Sequence, residues 1–189
     1  MTEELPFKYI GGDPSLDFVN TVDWTEQGPI KERLTDYARL TRWAEGAGIL
    51  SRADAERLRK AAQPREAKAA YKSALRLRDV LQRLYASGSD AAWEEFNELL
   101  GKALRHLGVS PLGKWEWHDV ESLESVLWPV VWSAANLLTS EEAQRIRVCA
   151  GPDCGWMYVD RSRNGLRRWC QMETCGTLEK SRRRADRRA

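Results

Sequence analysis

Through most of the first 140 positions, apolar residues return every three or four places, the period of helices that bury one face. Asp13 before Pro14 predicts an N-cap and a first helical residue, with Leu16, Val19 and Val22 on the buried side of a short helix. A second helix is predicted after Thr35, on Tyr37, Leu40 and Ala44 with Trp43 on its flank, stopping near Gly46 and Gly48. Ser51 and Asp54 have capping-box spacing ahead of Ala55, Leu58 and Ala62. Tyr71, Ala74, Leu75, Leu81 and Leu84 mark a longer helix that breaks at Ser87-Gly88-Ser89. Trp93, Phe96, Leu100, Ala103, Leu104 and Leu107 carry another as far as Gly108. These two read as an antiparallel pair. Trp115-Glu116-Trp117 alternates like one strand of a small hairpin. Leu123, Leu127, Val130, Ala134 and Leu137 form one stripe, and Trp128, Trp132 and Ala135 a second. That is the pattern of a helix central to a bundle, kinked or restarted at Pro129.

Beyond Ser140 the period changes. Arg145–Val148 and Trp156–Val159 read as short strands, and Asn164-Gly165 as a turn between Val159 and Trp169. Helix-favouring residues return from Thr174. The chain is therefore expected to be mainly α, with a helical N-terminal domain over 1–140 and a small α+β module over 141–189.

All four cysteines lie in that second part: Cys149 and Cys154, then Cys170 and Cys175. Two close pairs on a short hairpin are how a chain brings four thiolates to one tetrahedral ion, and zinc is the expected metal. Four thiolates leave no open position, so the expected role is structural. Two disulfides are the bland alternative, weakened by the acidic, non-apolar start at Glu3 and Glu4, which does not resemble a secretory signal. Iron–sulfur ligation fits the spacing poorly. His106 and His118 lie far from the cysteines and have no ligand spacing.

Composition alters the picture mainly through charge. The formal net charge of +2 conceals an acidic body and a basic end: from Arg145 onward there are 12 Lys/Arg against 5 Asp/Glu. Arg161, Arg163, Arg167 and Arg168, then Lys180, Arg182, Arg183 and Arg184, place arginine on both a loop and a final helix, with Arg187 and Arg188 beyond. That distribution points to a phosphate-bearing partner, and Asn164 could reach a base edge. Asn164 reads first as a turn residue. No stretch is long and apolar enough to span a bilayer, so a cytoplasmic location is expected. No G-x-S-x-G, H-E-x-x-H, G-x-G-x-x-G or P-loop occurs, and no enzymatic activity is expected. Asp17, Asn20 and Arg33 are candidates to line a ligand pocket in the helical domain, or else to cap and cross-link its helices.

Arg147-Val148-Cys149-Ala150-Gly151-Pro152-Asp153-Cys154-Gly155-Trp156, the Asp160–Gly165 stretch and Arg167-Arg168-Trp169-Cys170 resemble the CGNR zinc-finger module. Leu16-Asp17-Phe18-Val19-Asn20-Thr21 and Arg33-Leu34-Thr35-Asp36-Tyr37 resemble the opening of the domain that precedes it. The resemblance implies a treble-clef or ribbon-like zinc module and a bacterial, stress-induced transcription regulator that binds DNA. The helical domain would then sense a small-molecule signal or mediate contacts. Here Cys175-Gly176-Thr177-Leu178 stands where the family has Cys-Gly-Asn-Arg. Any contact that the Asn-Arg pair makes is therefore missing. Two other readings remain open: a zinc-stabilised interaction adaptor, and a small-molecule-binding protein without DNA recognition.

Overall fold

A computed structural model describes residues 4–25, 28–151 and 154–186. The chain forms two compact units, one from residues 34–136 and one that joins residues 1–33 to 137–189.

In the first unit, α2 (Tyr37–Gly46) starts at Asp36, whose carboxylate accepts the Arg39 N–H at 2.8 Å. This is a stronger N-cap than Thr35 would provide. α3 (Arg52–Ala61) begins at Ser51, whose hydroxyl accepts the Asp54 N–H, one arm of a capping box, and donates to the Asp54 carboxylate. α4 (Pro64–Ser87) and α5 (Asp90–Leu104) follow as the expected pair, bridged by Arg83 and Glu95 at 2.9 Å. Leu40, Leu58, Leu77, Leu81 and Phe96 are almost wholly buried. Each such side chain contributes about 1.5–3 kcal/mol by leaving water. Trp43 is fully buried in the same core rather than on a flank, because α2 packs against both α3 and α4 and so needs a wide apolar face.

α5 stops at Leu104, one turn short of the sequence expectation. Leu107 instead opens β3 (Leu107–Val109), which pairs antiparallel with β4 (Trp115–Trp117), Leu107 opposite Trp117. A single leucine three places beyond Leu104 satisfies both periods, and only the cross-strand partner decides between them. A 3-10 turn over Leu123–Val126 precedes α6 (Trp128–Leu138), so Pro129 marks a restart and not a kink. One stripe of α6 is buried at Val130, Val131 and Ala134. The second is half-covered, with Trp132 5.7 Å from the Trp115 ring, and Trp115 itself is exposed, unlike a core tryptophan. His106 is stacked on Trp128 at 3.9 Å and bonded to Asp119 at 2.9 Å.

In the second unit, α1 (Pro14–Val19) is capped by Asp13, and a hairpin of β1 (Asp23–Thr25) and β2 (Gly28–Ile30) follows. β5 (Ile146–Val148) pairs antiparallel with β6 (Met157–Val159), and α7 (Thr177–Asp186) ends the described chain. The first 33 residues belong here through specific bonds. Asn20 donates to the Met157 carbonyl and accepts the Met157 N–H, both at 2.8 Å, acting as a third strand's peptide beside β6. The Val159 N–H reaches the Gly11 carbonyl at 2.8 Å. Residues 1–33 thus share a compact unit with residues 137–189. Gly165 turns the chain at φ +63°, but no strand follows it. The partner of β6 is β5, and Asp160 closes the 160–167 loop instead, its carboxylate accepting the Ser162 and Arg167 N–H groups at 2.9 and 3.0 Å.

Candidate metal centre and basic face

The β5–β6 hairpin presents Cys149 and Cys154. Cys170 follows the loop closed by Asp160, and Cys175 lies in the wide helical turn Met172–Gly176 that leads into α7. Knuckle residues Pro152 and Asp153 lie outside the described residues. The four sulfur atoms lie within 4.8 Å of one another, with Cys154–Cys170 at 3.6 Å and Cys170–Cys175 at 3.7 Å. Four sulfurs about 2.3 Å from a tetrahedral zinc stand about 3.8 Å apart. A disulfide needs about 2.05 Å, and the four thiols are free. The donor set, its spacing and its closed shell fit structural zinc.

The surroundings suit thiolates. Backbone N–H groups of Gly151 and Cys170 approach the Cys149 sulfur at 3.4 and 3.2 Å. Hydrogen bonds from the Cys154 and Cys170 thiols, and then from those N–H groups, hold Cys149 far below the ordinary thiol range against the opposing effect of burial. Trp156 and Tyr158 form a buried cluster with Cys149 and Cys170, with Ile10 and Trp169 partly buried against it. Both tryptophans thus pack around the cysteines. Gly155 sits at φ +58°, and a Cβ there would strike the Trp24 carbonyl, so β1 lies directly on the knuckle.

The arginines divide into two groups. Arg161 grips Glu142 with two bonds of 2.6 and 2.7 Å and donates to the Gly12 carbonyl at 2.9 Å. That ion pair lowers the Glu142 carboxyl below its usual range and raises Arg161. Arg167 lies 4.1 Å above the Tyr158 ring and donates to the carbonyls of Trp169, at 3.0 Å, and Cys170. The Tyr158 hydroxyl returns a 2.6 Å bond to the Arg167 carbonyl. These two arginines build the module. Arg163, Asn164 and Arg168 are exposed, Arg168 resting 5.1 Å over the Trp169 ring. On α7, Lys180, Arg182 and Arg184 are exposed. The Arg183 side chain, and Arg187 and Arg188, lie outside the described residues.

Asp17, Asn20 and Arg33 each bond to a partner within the second unit. Asp17 accepts the Gly11 N–H at 2.7 Å, and burial raises its carboxyl to about 6. Asn20 holds β6. Arg33 donates to Asp23 at 2.7 Å and lies 4.9 Å over Trp156, whose indole N–H donates to the same Asp23 oxygen at 2.8 Å. Asn20 and Arg33 fasten the N-terminal segment to the metal-bearing hairpin, and Asp17 braces that segment at Gly11. Sequence reasoning overlooked Asp160, Glu142 and Tyr158. Of these, only Asp160 left a local signal, an aspartate two places before a serine at a strand end.

Residues 12–141 match the model of a family described as putative stress-induced transcription regulator, and residues 145–188 match the CGNR zinc finger. No curated protein matches the chain. No helix among the described residues is long and apolar enough to cross a membrane.

Proposed function

Because the chain belongs to the family described as putative stress-induced transcription regulator and carries its zinc finger, we propose that it binds duplex DNA and regulates transcription in response to stress. One observation supports this most directly. Exposed cations stand on both the Arg163–Arg168 loop and α7, and the four cysteines tie these two segments to one centre. Guanidinium groups held on two sides of a rigid knuckle can grip phosphates across a groove. Zinc supplies the crosslink that makes that spacing rigid. Arg161 and Arg167 support the surface from behind, and Arg163, Arg168, Lys180, Arg182 and Arg184 meet the phosphates. In this reading the protein works in the cytoplasm, performs no catalysis and answers a small-molecule signal.

The test is binding to duplex DNA at two salt concentrations. If these cations neutralise phosphates, affinity falls with a log–log slope of about −0.9 per phosphate contacted. Arg163→Ala with Arg168→Ala should flatten the slope and weaken all sequences alike. Zinc-loaded protein with no salt-sensitive affinity for any duplex would refute the reading. A second reading has its own support: Leu166 and Leu178 are 75% and 63% exposed on the same module. Exposed apolar side chains suit a protein partner, and the interaction adaptor then takes the regulator's place.

A further inference from the structure

We propose that the helical unit binds a small organic carboxylate with a compact apolar body, in a cavity lined by α4, α5 and α6. The cavity measures about 120 Å³. Leu77, Ala103, Trp128 and Val131 wall it, each almost fully buried. An apolar cavity of about 150 Å³ accommodates benzene, so this partly open one takes a ring or branched chain of about six carbons.

Its rim supplies the sign of the ligand's charge. Ser73, Arg76, Lys102 and Glu124 surround it. Glu124 accepts a 2.7 Å bond from the Ser73 hydroxyl and keeps its negative charge. Arg76 stands 3.7 Å from Glu95, a loose pairing. Lys102 is exposed and makes no ion pair among the described residues. Two cations against one carboxylate leave the rim net positive, and Lys102 is the rim charge without a partner among the described residues. A single carboxylate meets Lys102 as its body fills the apolar space, gaining a charge-assisted bond and the contacts that the void denies its walls. The site gives the proposed small-molecule signal a chemical class and rests on that reading.

Benzoate is the probe and benzyl alcohol its uncharged counterpart. Titrating the full-length, zinc-loaded protein with millimolar benzoate should saturably shift the Trp128 indole N–H resonance, assigned through Trp128→Phe. Benzyl alcohol should bind more weakly. Lys102→Ala, a surface change that leaves the fold intact, should cost benzoate about tenfold in affinity, the worth of one charge-assisted bond, and leave benzyl alcohol unchanged. Ala103→Leu should abolish both by filling the space; if that variant does not fold, the Lys102 comparison decides alone. No Trp128 shift, or equal benzoate affinity in wild type and Lys102→Ala, overturns the proposal. DNA binding by the zinc module is unaffected by either outcome, so the two readings fail separately.

Discussion

At the level of single residues, Arg167 and Arg163 are four places apart and do different work. The Arg167 guanidinium covers Tyr158 and ties down the Trp169 and Cys170 carbonyls. Arg167→Ala should cost about 2–3 kcal/mol of stability, the loss of charged hydrogen bonds to partly buried carbonyls. It should also loosen the metal, as read by thermal unfolding and by competition with a chromogenic zinc chelator. Arg163→Ala should leave unfolding within about 0.5 kcal/mol of wild type, as exposed substitutions do, and act only on DNA. Asp17 gives a pH signature. Its folded carboxyl titrates near 6, above its ordinary value of 3.8, because burial disfavours the charge. The folded state therefore holds that proton more tightly than the unfolded chain. Stability from this group is full below about pH 4 and is lost as pH rises through 6. Asp17→Asn keeps an oxygen for the Gly11 N–H and should flatten the melting temperature between pH 4 and 6. An unchanged slope would remove Asp17 as its source. The sequence showed which residues carry charge but not which charges are matched, because a guanidinium finds its partner through the fold.

At the level of elements, the knuckle and its neighbours depend on backbone approach. Gly155 adopts a left-handed conformation where a side chain would collide with β1. Gly155→Ala should therefore destabilise the second unit by more than about 1 kcal/mol, the usual penalty for alanine at positive φ. Loss of the Trp24 and Trp156 near-ultraviolet signals at lower temperature would show it. Zinc binding is coupled to folding of the hairpin, since the four thiolates are brought together only in the folded state. Cys170→Ser should abolish stoichiometric zinc in elemental analysis and unfold β5, β6 and α7. Helix positions were legible here because caps and periodicity are local: Asp13, Ser51 and Pro129 act where they stand. The end of α5 was not legible, because Leu107 fits a helix face and a strand equally well until Trp117 lies opposite it.

At the scale of the molecule, residues 1–33 share a compact unit with residues 137–189. Loss of zinc should therefore release both chain ends together. Limited proteolysis of chelator-treated protein, or of Cys170→Ser, should leave a resistant fragment close to residues 34–136. Survival of a fragment that begins near the N-terminus and ends near 140 would contradict the pairing of Asn20 with Met157. Some of this was fixed by the amino-acid order alone. The helical period, the two cysteine pairs and the basic end are properties of neighbours in the chain, so they persist whatever the tertiary arrangement. The zinc-finger motif belongs with them. Other features arose only in three dimensions. Asn20 and Met157 are 137 residues apart, as Arg161 and Gly12 are 149 apart, and nothing in either local sequence names the other. Asp17, Asn20 and Arg33 look the same in sequence whether they face a ligand or a neighbouring strand. The fold joins Asp17 to Gly11, Asn20 to Met157 and Arg33 to Asp23, because polar groups taken out of water must find partners.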